Sequence, residues 1–157
     1  MSLQAKCIEK GWTLALAESC TGGGVSARLV QEAGASEYFL GSLVVYSNQL
    51  KTSLLQVPEK LLQTKGAVSS ECAALMCKNL HTLTKSTWTG SITGIAGPTG
   101  GSTEKPVGTV FMGVGFFGEE PKVKNFLFKG DRQEILRQSE EAFLSFLKEC
   151  ILFPYER

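Results

Sequence analysis

A serine and a cysteine stand side by side in Ala17-Glu18-Ser19-Cys20-Thr21-Gly22-Gly23, between an apolar run from Thr13 to Ala17 and a segment with helical periodicity. At a strand-to-helix turn, a side-chain nucleophile is presented beside free backbone N–H groups, which can bind an oxyanion or a phosphate. Two further polar clusters follow apolar runs: Tyr46 to Lys51, and the glycine-rich Thr93 to Gly101. Together they supply a hydroxyl, a phenol, an amine and glycine backbone that an anion can approach, the components of serine–lysine acyl transfer. For Lys51 to take the proton of Ser19 it must lie where burial favours the neutral amine. Cys20 is the rival nucleophile. Its base would be Lys51 or His81, the one histidine of the chain. His81 falls within a helical stretch far from these loops, so it reads as a packing or surface residue, and Cys20 reads as a small residue turned inward.

The elements that must carry these groups follow from the apolar periodicity. Ser2 to Lys10 is predicted helical and capped by Gly11. Trp12 to Ala17 is a buried strand, Gly23 to Ala33 a helix with Val25, Leu29 and Val30 inward, and Phe39 to Tyr46 a second strand. Strand, helix, strand at this spacing makes the first two strands parallel. A helix begins at Gln49 and is broken by Pro58. Another is capped by Ser69 or Ser70, with Ala73, Met76, Leu80 and Leu83 at helical spacing. Trp88 to Ile95 is a third strand. Val107 to Phe117 and Val123 to Lys129 are joined closely enough for a hairpin, so the sheet is expected to be mixed and mostly parallel. Asp131 and Glu134 form a capping box for a long last helix whose Ile135, Leu136, Phe143, Phe146 and Leu147 face the core. The expected fold is a single three-layer α/β/α sandwich over residues 1–157. In such sheets ligands bind beyond the carboxyl ends of parallel strands, where the three loops would share a rim.

Composition narrows the function classes. The 157 residues are 43% hydrophobic and 20% charged, with a formal net charge of +1. No basic stripe suggests nucleic acid, and no apolar run is long enough for a bilayer. The charged first residues do not read as a signal peptide, so the expected compartment is the cytoplasm. Five scattered cysteines without a C-x-x-C pair argue against a disulfide framework or a zinc knuckle. A single histidine rules out a multi-histidine metal site, and no metal or organic cofactor is expected. A homodimer is open to a single α/β domain of this size.

With the motifs assembled, the sequence resembles the C-terminal domain of the CinA family, whose stand-alone members are nicotinamide-nucleotide amidases. The resemblance runs from about Trp12 to the last helix. It is carried by Ala17–Gly23, Val45-Tyr46-Ser47-Asn48-Gln49-Leu50-Lys51, Gly66-Ala67-Val68-Ser69, Thr93–Gly101, Lys105-Pro106-Val107-Gly108-Thr109 and Gly130-Asp131-Arg132. It implies hydrolysis of nicotinamide mononucleotide to nicotinate mononucleotide and ammonia, a step of pyridine-nucleotide recycling. It also implies Ser19 as nucleophile, Lys51 as general base, and Tyr46 and Thr93 completing the hydrogen-bonded site. Candidates for holding the nucleotide are Thr21, Gly22, Gly23, Gly97, Thr99, Gly100, Gly101, Lys105 and Arg132. The chain departs from the family's usual wording at Val45, where threonine is common, and at Gln49-Leu50, in place of Glu-Ala. It shows no counterpart of the larger molybdopterin-binding-like domain of longer members, so an activity of that domain is not expected. Two other readings use the same loops: a catalytically silent nucleotide-phosphate binding module, and an amidase for another carboxamide.

Overall fold

The computed structural model describes residues 1–154. Its twelve labelled elements are α1 (Leu3–Lys10), β1 (Leu14–Glu18), α2 (Gly24–Leu29), β2 (Phe39–Val44), α3 (Asn48–Leu55), α4 (Glu59–Thr64), α5 (Ser70–Thr84), β3 (Trp88–Gly94), β4 (Thr109–Phe116), β5 (Lys122–Leu127) and α6 (Arg132–Leu152), with a 3-10 turn at Ala35–Glu37 counted among them. Strand order is β2-β1-β3-β4-β5. β1 pairs in parallel with both β2 and β3, whereas β4 runs antiparallel to β3 and to β5. Only β4 therefore opposes the common direction, as the hairpin reading requires.

Alternation along β1 builds the two outer layers. Leu14 and Leu16 join Cys7, Val25, Ile92, Met112, Phe143 and Leu147 on the face covered by α1, α2 and α6. Ala15 and Ala17 point to the other face, among Val45, Leu55, Cys72, Met76 and Leu80 of the α3–α5 layer. Every residue of β1 is buried, as expected of an inner strand with helices on both faces. The small alanines let α5 lie close to the sheet. The result is the expected three-layer sandwich.

The caps follow the sequence. Gly11 ends α1 at φ 65°, and Ser69 accepts from Cys72 N to start α5. Asp131 and Glu134 form the full reciprocal capping box of α6. Three expectations are corrected. Helix α2 stops at Leu29, so Val30 is 57% exposed instead of facing inward. Leu83 is 55% exposed, because the buried seam of α5 runs through Cys72, Ala73, Met76, Cys77, Leu80 and His81. Pro58 does not merely break a helix but caps a new one, α4, with a φ of −60° that suits a helix start.

The long connection from β3 to β4 is tied back at Gly108, whose N–H donates to Ile95 O while its carbonyl accepts from Phe128 N. Its φ is +95°, and a Cβ there would run into the Phe128 carbonyl. Gly108→Ala is expected to destabilise the protein by about 2–3 kcal/mol through strain and overpacking. Chemical denaturation would show this as a lower midpoint; an unchanged midpoint would refute the requirement for glycine.

Candidate active site

The order β2-β1-β3 places the ends of three neighbouring parallel strands along one edge. Ser19 follows the last residue of β1 and is held by its N–H, which donates to Ile92 O at 3.0 Å. After β2 the chain turns, and Ser47 caps α3 by accepting from Leu50 N. That start puts Lys51 on the inward side of the first turn. Thr93 lies near the end of β3, and Arg132 is the first residue of α6.

Lys51 Nζ lies 2.9 Å from Ser19 Oγ. Thirty-two positions apart in sequence, the two side chains meet in the interior, Lys51 being 1% and Ser19 6% exposed. The amine also donates to Val45 O at 2.9 Å and Tyr46 O at 3.3 Å. No carboxylate pairs with it among the described residues. Burial without a counter-charge pushes the Lys51 pKa below its ordinary value of 10.5. Because a main-chain carbonyl holds the amine, valine at position 45 leaves its anchoring intact.

The two open a cleft of about 180 Å³, also lined by Tyr46, Ala67, Thr93 and Arg132. Arg132 binds across its mouth, donating from Nη1 to Gly97 O at 2.6 Å and from Nη2 to the Tyr46 hydroxyl at 3.1 Å. The Tyr46 phenol is thus engaged by Arg132, and its main-chain carbonyl is what meets Lys51. Thr93 is buried, its hydroxyl donating to Ala67 O at 3.0 Å. It shapes the wall formed by the Gly66–Ser69 segment.

Other candidate residues are placed differently. The Thr21 hydroxyl donates to Glu18 Oε1 at 2.7 Å. Gly22 and Gly23 form the left-handed turn leading into α2. Gly97 contributes its carbonyl to Arg132, while Thr99, Gly100 and Gly101 lie exposed and outside the cleft lining. Lys105 Nζ donates to Lys65 O at 2.6 Å and does not line the cleft. Arg132 is the basic side chain at the cleft mouth.

Cys20, the rival candidate, also lines the cleft. Cys20 is buried in the core, which pushes its pKa up to about 12. His81 is buried between Ser86 O and the Thr89 hydroxyl, and burial lowers its pKa. It packs within α5 and β3, away from the cleft lining. Sequence reasoning passed over Glu18, which is wholly buried. Its signal was an acid ending an otherwise apolar strand.

A sequence model described as the CinA C-terminal domain matches residues 1–151. This chain belongs to the CinA C-terminal domain family. A CinA-like protein of Geotalea uraniireducens is 46% identical over 144 residues, covering 92% of this chain and 34% of the relative. One of a Geobacter species is 50% identical over 127 residues, covering 81% of this chain and 30% of the relative. The chain thus spans about a third of the length of the curated relatives it matches. Among solved structures, a competence-damaged protein (CinA) superfamily protein of Klebsiella pneumoniae has a TM-score of 0.90 at 31% identity, covering 96% of this chain and 93% of the other. A competence/damage-inducible protein of Agrobacterium tumefaciens has a TM-score of 0.86 at 32% identity, covering 92% and 91%. The CinA fold and this chain's sheet and helices therefore coincide over nearly the whole domain. Among the described residues, no helix is long and apolar enough to cross a membrane.

Proposed function

We propose that this CinA domain is a serine–lysine amidohydrolase that converts nicotinamide mononucleotide to nicotinate mononucleotide and ammonia. The observation that carries the reading is the 2.9 Å contact between Ser19 Oγ and a buried amine that no carboxylate neutralises. A nucleotide-binding module has no use for such an arrangement. An acyl-transfer site needs it, because desolvation leaves the amine able to accept a proton.

Ser19 Oγ attacks the carboxamide carbon, already made electrophilic by the cationic pyridinium, and its proton passes to Lys51. The tetrahedral oxyanion needs backbone donors. Within the turn, Gly22 N–H and Gly24 N–H are used internally, by Ser19 O and Thr21 O. The amides of Val25 and Ser26 are taken by Glu18. The amides of Cys20 and Thr21 donate only to the Cys20 sulfur, a weak acceptor, so they and the Gly23 amide are the donors left for the oxyanion. Lys51 then gives its proton to the departing ammonia, and water hydrolyses the acyl-enzyme. Arg132 suits the substrate phosphate, since its guanidinium has five N–H donors and stands at the mouth of a cleft that admits the carboxamide end.

The test is direct product analysis. The protein incubated with nicotinamide mononucleotide is expected to release ammonia and nicotinate mononucleotide in equal amounts. Binding without product after long incubation would favour the silent module. Turnover of another carboxamide in preference to this one would reassign the substrate and keep the chemistry.

A further inference from the structure

The residue before the nucleophile carries a carboxylate that ordinary helix capping does not account for. Glu18 is 0% exposed and has no basic partner at salt-bridge distance among the described residues. Instead it accepts from five donors: the Thr21 hydroxyl at 2.7 Å, Val25 N–H at 2.9 Å, Ser26 N–H at 3.0 Å, the Ser26 hydroxyl, and the Ser42 hydroxyl at 3.4 Å. These come from the turn, from α2 and from β2. The usual cap position of α2 is Gly23, which makes no side-chain cap bond. The start of α2 is therefore closed by the strand residue bonded to Ser19 itself.

This has two consequences for the reacting groups. The helix amides are consumed, so an oxyanion is left with the Gly23 amide and with the Cys20 and Thr21 amides, whose other acceptor is the weakly accepting Cys20 sulfur. The turn is also clamped at both ends, by Glu18 to α2 and β2 and by the Ser19 N–H to β3. Ser19 Oγ has little freedom to leave the amine.

We infer that Glu18 is a positioning residue, whose carboxylate locks the Ser19–Gly23 turn so that the serine hydroxyl stays on Lys51 and the turn's remaining amides stay directed at the developing oxyanion. The inference rests on Ser19 being the nucleophile. Glu18→Gln keeps the shape of the side chain but sets an NH2 group against donors, so the turn must shift. Misplacement by about 1 Å is worth on the order of 10²-fold in rate.

The test uses a fluorophosphonate, which reports the nucleophile whatever the natural substrate. In this reaction the Ser19 Oγ–P bond forms, the P–F bond breaks, fluoride leaves and the hydroxyl proton passes to Lys51. Labelling of Ser19, located by mass spectrometry, is expected to slow about 10²-fold in folded Glu18→Gln. The pH at which labelling rises should stay as in the wild type, because the groups around Lys51 are unchanged. A cap with no part in positioning would lower thermal stability and leave the labelling rate of the folded protein alone; that result overturns the inference. A shifted pH profile overturns it too, since Glu18 would then act through the charge on Lys51. Should Glu18→Gln fail to fold, Thr21→Val and Ser26→Ala each remove donors and should each slow labelling several-fold; wild-type rates in both refute it. Wild type that neither reacts with the reagent nor releases ammonia brings down the nucleophile and the inference with it. Wild type that reacts, with Glu18→Gln equally fast, brings down the inference alone.

Discussion

Ser19→Ala is expected to lower turnover by at least about 10³-fold, since removing a nucleophile leaves only binding and oxyanion stabilisation. The protein should remain folded. The hydroxyl is small, and the Lys51 amine keeps the carbonyls of Val45 and Tyr46 as acceptors. Loss of one hydrogen bond costs about 1 kcal/mol. Cys20→Ala is the matched control. Its thiol is buried and held protonated, with a pKa pushed up to about 12, so this variant should keep its activity and lose only a little packing. Steady-state ammonia release and thermal denaturation of both variants provide the check. Turnover that survives in folded Ser19→Ala, or disappears in folded Cys20→Ala, would remove Ser19 from the centre of the chemistry.

Lys51→Met should be as inactive, and it carries a second signature in stability. Burial lowers the Lys51 pKa in the folded state below the ordinary 10.5. The unfolded chain therefore binds this proton more tightly than the folded one. Between the lowered folded value and the unfolded value, wild-type stability must rise with pH relative to Lys51→Met, by about 1.4 kcal/mol per unit. Below the folded value both states are protonated and the difference is constant; above 10.5 both are neutral and it is constant again. The rate has the matching sign: kcat/KM should climb with pH and level off above the folded pKa of Lys51, where the amine is free to accept the serine proton. Urea denaturation of the two proteins across the alkaline range reads the first effect, and a pH–rate profile reads the second. A stability difference that falls with rising pH would contradict the buried neutral amine.

Much of the positioning framework was legible because it depends on local rules. Gly11, Ser69 and the Asp131–Glu134 pair stopped and started helices where backbone groups needed partners. Alternating Leu and Ala in β1 announced a strand covered on both faces. Errors arose where packing across elements chose among equivalent local patterns. Leu83 fits the helical period as well as His81, but the approach of β3 buries the histidine. Val30 lies past the end of a helix that terminates early. Lys105 and the Thr99–Gly101 backbone match the chemistry of a phosphate site by type; in the structure Lys105 binds the Lys65 carbonyl, and these residues are not part of the cleft lining.

The order of residues alone determined the strand–turn–helix at Ser19, the parallel relation of the first strands and the mixed sheet, because hydrophobic period and capping chemistry act over a few neighbours. It also left Ser19 and Cys20 as the candidate nucleophiles. Only the tertiary structure showed that Cys20 joins the core cluster and that a lysine 32 positions away lies against the Ser19 hydroxyl. It alone showed that Glu18 closes α2. Such contacts depend on which strands are neighbours and on which groups lose water together, and burial and strand order belong to the whole packed chain.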